Sequence, residues 1–339
     1  MSLREEIIKN EYIFPGTPSI KYYYKPSLNK DIKNLLIGFS GFHGKEKEGV
    51  APKYNYIKHL RNVDVNQLYI LDGNSNHIPL YYIGENGKND YEEKVIQLIL
   101  YIAKREEIPL SNIITFGSSK GGTAAAYFAM KYSLGNFISG GMQTRAGDYL
   151  KRNNGFTRDV ILSTIVGNEK ESPENNLNER FMKIFNNPLE NTNYYLHGGI
   201  GDFHYINYVK PFHMLLEEKG VSHKLDTAEY SDHGEIGTYF LPFLASSISE
   251  IYDIPIIKEV TLESDGTHIT ISISTYKSIE NMIFAVYMIG EKSNDILQKF
   301  PYQRNTTIKI KVPKGKYRFR VYARKEQYKS RYNTGFIQH

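Results

Sequence analysis

The chain contains no cysteine, which excludes a disulfide framework, a thiolate metal site and a cysteine nucleophile. Any covalent chemistry therefore falls to serine, threonine or a carboxylate. No apolar run approaches the roughly 18 residues that span a bilayer, and the first ten residues have no uninterrupted apolar stretch of signal-peptide type. A cytoplasmic protein with no membrane span is expected. One-sided charge is also lacking: 42 basic residues stand against 37 acidic ones, and the resulting formal +5 is spread along the chain. Such a weak, unclustered excess does not imply a nucleic-acid partner. Internal repeats and low-complexity segments are absent.

At 339 residues the chain has room for a large domain and a smaller one. Up to about residue 250, short apolar runs alternate with helical patterns, which predicts a mostly parallel sheet covered by helices on both faces. The strand candidates are 34–40, 67–72, 112–116, 136–139, 193–197 and 222–230, each dense in apolar residues as buried parallel strands require. Between them, 90–107 places Val95, Leu98, Ile99 and Ile102 on one helical face, with Asp90 and Glu93 spaced as a capping pair. A second helix is predicted over 123–134, alanine-lined at its start and stopped by Gly135, and others over 206–219 and 236–251. The polar stretch 151–191, with a short helix around 181–184, reads as an excursion over the site or as a plain surface loop.

Beyond Ile254 and Pro255 the texture changes to period-two alternation, with Ile269, Ile271 and Ile273 on one strand face. Residues 305–312, a turn at 313–316 and residues 317–324 read as a hairpin, and 281–290 as a more buried strand. The predicted division is a domain over 1–254 and a small antiparallel β-sandwich over 255–339.

Gly117-Ser-Ser-Lys-Gly121 fits the glycine-x-serine-x-glycine pattern, with an apolar strand before it and a small-residue helix after it. An abrupt strand-to-helix turn strains the central residue, Ser119, and only glycines at 117 and 121 avoid its neighbouring backbone. A phosphate loop is excluded, since Lys120 precedes Gly121 and Gly122 and no Lys-Ser or Lys-Thr pair follows. In this strand order an acid and then a histidine should follow the serine in later loops. His233 and Asp202 stand in those places, Asp148 is a competing acid, and Asp232 is a weaker one because adjacent side chains rarely face each other. The backbone amides of Lys120 and Phe42 are the expected oxyanion donors, and His43 is a residue that substrate could touch. His197 and His204 flank the acid loop without ligand spacing, so neither metal nor cofactor is assigned.

With these motifs in this order, residues 34–250 resemble the α/β-hydrolase superfamily. The Gly-Ser-Ser-Lys-Gly-Gly form resembles bacterial hydrolase-like proteins of surface glycans and accessory secretion, some of them carbohydrate O-acetyltransferases or acetylesterases. The resemblance implies a Ser119 nucleophile, a His233 base, an Asp202 orienting acid, and a small-molecule or glycan ester as substrate. Residues 255–339, with Tyr317, Tyr322, Tyr328 and Tyr332, are similar to three-tyrosine and immunoglobulin-like sandwiches, whose outward Arg318, Arg320 and Arg324 would form a basic edge. The alternative expectation is a non-catalytic binding or scaffold protein that uses the sandwich to dock a partner or glycan.

Overall fold

A computed structural model describes residues 2–167, 171–291 and 295–339. Two compact units are present: the second comprises Leu28–Ile32, His59–Val65 and Ala245–His339, and the first the remainder. No helix among the described residues is long and apolar enough to cross a membrane.

In the first unit the strands are β1 (Glu11–Phe14), β2 (Ile20–Lys25), β3 (Leu35–Phe39), β4 (Asn66–Ile70), β5 (Ile113–Ser118), β6 (Asn136–Gly140), β7 (Asn193–Gly199) and β8 (His223–Ala228). They form one sheet in the order β1-β2-β4-β3-β5-β6-β7-β8, parallel from β4 to β8. The six predicted strands are all there. β1 and β2, which add an antiparallel edge on β4, were not foreseen. Tyr22, Tyr23 and Tyr24 are buried at consecutive positions in β2, so covering on both faces removes the alternation that marks a strand.

The helices are α1 (Leu3–Asn10), α2 (Ile57–Leu60), α3 (Asp90–Arg105), α4 (Lys120–Tyr132), α5 (Ala146–Arg152), α6 (Ser163–Val166), α7 (Pro173–Phe185), α8 (Lys210–Glu218) and α9 (Ile236–Tyr252). The predicted stripe of α3 is fully buried. Its capping pair does not form: the N-cap position falls one residue earlier, at Asn89, whose side chain makes no cap hydrogen bond, and Asp90 accepts from the Tyr91 N–H instead (2.9 Å). α4 starts at Lys120, before the predicted Thr123, and ends at Ser133 in a left-handed conformation rather than at Gly135. Gly135 serves close approach: a Cβ there would lie 2.1 Å from the Ser111 carbonyl oxygen. Most of the polar segment 151–191 is helical, and its Ile161, Ile165, Leu177 and Phe181 join the core; residues 168–170 of it lie outside the described residues.

The second unit contains β9 (Ile257–Ser264), β10 (His268–Thr275), β11 (Ile283–Gly290), β12 (Ile296–Gln303), β13 (Thr307–Lys311), β14 (Lys316–Lys325), β15 (Tyr328–Asn333) and β16 (Ile337–Gln338). A sheet ordered β13-β10-β9 packs on one ordered β12-β11-β14-β15, and Ile269, Ile271, Val286, Phe319 and Val321 share the core between them. The predicted hairpin of 305–312 with 317–324 is not formed. Both flanks of β14 are taken, by β11 and β15, so β13 pairs with β10 and the turn passes from one sheet to the other.

α4 lies so close to β3 and β5 that a Cβ on Gly121 would sit 2.3 Å from the Phe39 carbonyl oxygen. Gly121→Ala should therefore lower stability by about 3 kcal/mol, the upper end for an overpacked site, as measured by urea unfolding. Gly237→Ala in α9, where a Cβ meets nothing within 4 Å, should instead raise it by about 0.5–1 kcal/mol. Equal effects at the two positions would refute this packing account.

Candidate active site

Ser119 sits between β5 and α4 with φ 55° and ψ −128°, a conformation that a residue with a Cβ adopts only under constraint. Its N–H donates to the Gly140 carbonyl (2.8 Å), and its carbonyl accepts from the Thr123 N–H (3.0 Å) and hydroxyl (3.2 Å). Gly117 and Gly121 face each other across the turn, where a Cβ on Gly117 would lie 2.5 Å from Gly121 carbonyl atoms.

Asp202 and His233 come together because β7 and β8 are parallel neighbours. The acid loop after β7 is pinned to the strand beside it by Ile200 N–H to Ala228 O (3.0 Å) and Gly201 N–H to Tyr230 O (3.2 Å). Across that junction His233 Nδ1 donates to Asp202 Oδ2 at 2.7 Å. Asp148 is held elsewhere, by Asn178 (2.6 Å) and Arg145 (2.7 Å), while Asp232 caps its own turn through the Gly234 N–H (2.8 Å). The His233 ring rests against Gly141, just past the carbonyl that holds Ser119.

A second imidazole, which the sequence reading set aside, shares the carboxylate. His204 donates to Asp202 Oδ1 from its backbone N–H (2.9 Å) and from Nδ1 (3.1 Å), and its ring stacks on His233 with centroids 3.6 Å apart. A carboxylate only accepts, so both Nδ1 atoms carry hydrogen and both Nε2 atoms present lone pairs. The Nε2 of His204 takes a hydrogen bond from Gln143 Nε2 (3.1 Å), whose other hydrogen goes to Ser119 Oγ (3.2 Å). The Tyr81 hydroxyl donates to Gln143 Oε1 (2.7 Å) and fixes the amide's direction. Burial, with Tyr149 and Tyr208 close by, holds that phenol well above its ordinary pKa and keeps it a donor. Ser119 Oγ thus contacts Gln143 and not His233, and among the described residues His233 Nε2 has no hydrogen-bond partner.

The segment on the other side of the Ser119 turn is built on a buried ion pair. Lys120 Nζ lies 2.7 Å from Asp72 Oδ2, and Asp72 also accepts from the Leu80 N–H (3.2 Å) and the Tyr82 N–H (3.1 Å). Tyr82 in turn ties the ends of β3 and β4, accepting from the Ser40 N–H (2.6 Å) and donating to the Ile70 carbonyl (3.0 Å). The Lys120 side chain is therefore structural, 4.7 Å from the Tyr82 ring and 5.5 Å from the Phe42 ring. In the loop after β3, Gly41 N–H donates to Asn55 Oδ1 (2.9 Å) and His43 N–H to Glu46, whereas the Phe42 and Lys120 amides have no acceptor among the described residues. His43 is mostly buried, and its ring nitrogens have no hydrogen-bond partner among the described residues.

Gln143, Tyr81, Tyr82 and Asp72 were not singled out by the sequence. Only Asp72 carried a signal, an acid at the carboxyl end of a strand; the others act through tertiary contacts that leave no local pattern. Asp202, His204 and His233 lie close enough to be weighed as metal ligands, but both Nδ1 atoms are spent on the carboxylate.

Burial alone would push the Asp202 carboxyl up, but hydrogen bonds from the His204 and His233 side chains and the His204 backbone outweigh it and hold it well below the usual range. Burial lowers His204, and Asp202 only partly opposes this; His197, buried beside Asp226, is lowered in the same way. An imidazole lowered on folding stabilises fully above about pH 6.5, its unfolded value, and loses that contribution as pH falls. The Asp202 contribution stays whole until about pH 3.9, its unfolded value, and is lost below it. The melting temperature should thus decline as pH falls below about 6.5, and His204→Asn should make the decline shallower in calorimetry. An unchanged slope would show that His204 is not held neutral by burial.

Solved structures share this fold. A point mutant of the capsule O-acetyltransferase of Neisseria meningitidis serogroup A, in complex with CoA, aligns over 73% of this chain and 100% of its own, at 21% identity and TM-score 0.60. The Glycosylation Associate Protein complex of Streptococcus agalactiae aligns over 71% of this chain and 46% of its own, at 21% identity and TM-score 0.56. Pyrococcus horikoshii acylaminoacyl peptidase aligns over 74% and 43%, at 12% identity and TM-score 0.53. No protein-family profile matches the chain, and no curated protein matches it in sequence. What these likenesses establish is the architecture, an α/β-hydrolase-like fold; the antiparallel β-sandwich rests on this chain's own strand pairing.

Proposed function

We propose that the protein is an ester-acting serine hydrolase or O-acyltransferase that works through an acyl-enzyme on Ser119. The observation that carries this reading is the bond of His233 Nδ1 to Asp202 Oδ2 at 2.7 Å, which leaves an unpartnered Nε2 lone pair beside the strained Ser119 turn. His233 Nε2 takes the Ser119 Oγ proton as Oγ attacks the ester carbonyl. The Lys120 and Phe42 amides hold the oxyanion. Collapse breaks the bond to the leaving group, which takes the proton from His233. Water or an acceptor hydroxyl then gives its proton to His233 Nε2 and attacks the acyl carbon, which returns Ser119 with its hydrogen. Gln143 positions Ser119 Oγ, and His204 holds the second oxygen of Asp202.

An O-acetylated carbohydrate is the substrate class to test first, as product or as reactant. The fold shared with a capsule O-acetyltransferase solved with CoA supports it, and an acetyl thioester is the corresponding donor to try. Domain 1–254 would carry the chemistry, and the sandwich of 255–339 would engage the glycan or a partner.

The test is labelling by a fluorophosphonate probe together with turnover of short-chain aryl esters. Ser119→Ala should abolish both. Asp202→Asn should lower kcat by about 10⁴-fold, because it permits the wrong His233 tautomer. Asp148→Asn should leave kcat near the native value. Absence of labelling in the native protein, under conditions where a known hydrolase reacts, would overturn catalysis in favour of a binding role.

A further inference from the structure

Away from Ser119, three side chains of the first unit direct electron pairs at one point. His213 and Glu217 stand four residues apart on α8 and so share a face. His223 opens the edge strand β8. Its Nδ1 donates to the Val221 carbonyl at 2.8 Å; a carbonyl only accepts, so this nitrogen keeps its hydrogen and, in the neutral ring, Nε2 presents a lone pair. That Nε2 lies 2.6 Å from His213 Nδ1 and 3.4 Å from Glu217 Oε1. With both rings neutral, one proton can bridge the two nitrogens, but it leaves the carboxylate oxygen without a hydrogen to accept.

We propose that His213 Nδ1, His223 Nε2 and Glu217 Oε1 bind a divalent transition-metal ion, zinc in the first instance. Two imidazoles and one carboxylate are a ligand set that zinc takes, with solvent in the remaining position. Metal–ligand bonds of about 2.0–2.2 Å in a tetrahedron put ligand atoms about 3.3 Å apart. The Glu217 separation already matches that, and the two imidazoles must open by about 0.7 Å. Small rotations provide this, since Glu217 is 65% exposed and His213 only half-buried. The Val221 carbonyl plays the outer part that metal-bound histidines commonly require, fixing the tautomer and aim of a ring that is itself 5% exposed. Exposure of Glu217 supplies the entry path.

The position points to a clamp rather than a catalytic metal. His223 begins β8, whereas His233 follows its other end. α8 descends from the Asp202 loop, so a bound ion would join the two segments that deliver Asp202 and His233 to each other. This assignment does not depend on the reaction at Ser119.

The experiment uses the full chain without an affinity tag, stripped with chelator and titrated with zinc by calorimetry and with cobalt by visible absorption. Expected are one saturable site, a melting temperature that rises with zinc, and a cobalt spectrum of low-coordinate type. Glu217→Gln, a surface change that leaves the fold intact, should weaken zinc at least ten-fold, and His213→Asn combined with His223→Gln should abolish the site. Fluorophosphonate labelling of Ser119 should persist in each variant. Failure of the native protein to take up zinc or cobalt, or equal uptake by the double variant, would overturn the assignment; the latter would move the ion elsewhere, as to Asp202, His204 and His233.

Discussion

Two opposite charges buried beneath the turn at Ser119 hold much of the surrounding structure in place. Lys120 and Asp72 are 2% and 1% exposed, and burying either alone would cost several kcal/mol of lost solvation. The cost is offset because Asp72 is satisfied on every side, by the ammonium and by the Leu80 and Tyr82 amides. One ion pair thereby cross-links the first residue of α4, the end of β4 and the turn that carries Tyr81 and Tyr82. Both tyrosines have positive φ, of 53° and 60°, which such residues sustain only when the surroundings over-determine it. From there Tyr82 ties β3 to β4, and Tyr81 reaches Gln143.

The polar chain that continues from Tyr81 has a single direction. Each donor meets an acceptor, from the Tyr81 hydroxyl to Gln143, from Gln143 to Ser119 Oγ and His204 Nε2, and from both imidazoles to Asp202. In a low-dielectric interior such a network is stable only when complete, and its completeness dictates the tautomer of each ring. Among the described residues, the Ser119 hydroxyl hydrogen and His233 Nε2 are left without a partner in this network. The His233 ring stacked on His204 adds to the burial that lowers the His204 imidazole.

The fold itself hosts unrelated activities, as the likeness to both an acetyltransferase and a peptidase illustrates. What distinguishes one such chain from another is therefore the set of residues grouped around the serine. Here that set includes an amide, a second imidazole and several phenols drawn from the segments after three different strands, β4, β6 and β7.

The sequence by itself determined the parts that depend on neighbours along the chain. The six parallel strands, the buried stripe of α3 and the serine turn between glycines were all legible, because apolar periodicity and the steric freedom of glycine act locally. The placement of Asp202 and His233 in loops following β7 and β8 was legible, since parallel strands bring such loops to one end. Only the tertiary structure decided which carboxylate faces His233, because Asp148 and Asp202 differ in nothing but their surroundings. It alone decided the roles of Gln143, Tyr81, Tyr82, His204 and Asp72, and it alone sent β13 and β14 to different sheets. Hydrogen bonds and strand pairings between distant residues have no period and no spacing in the chain, so they become definite only when the folded backbone brings the partners within reach.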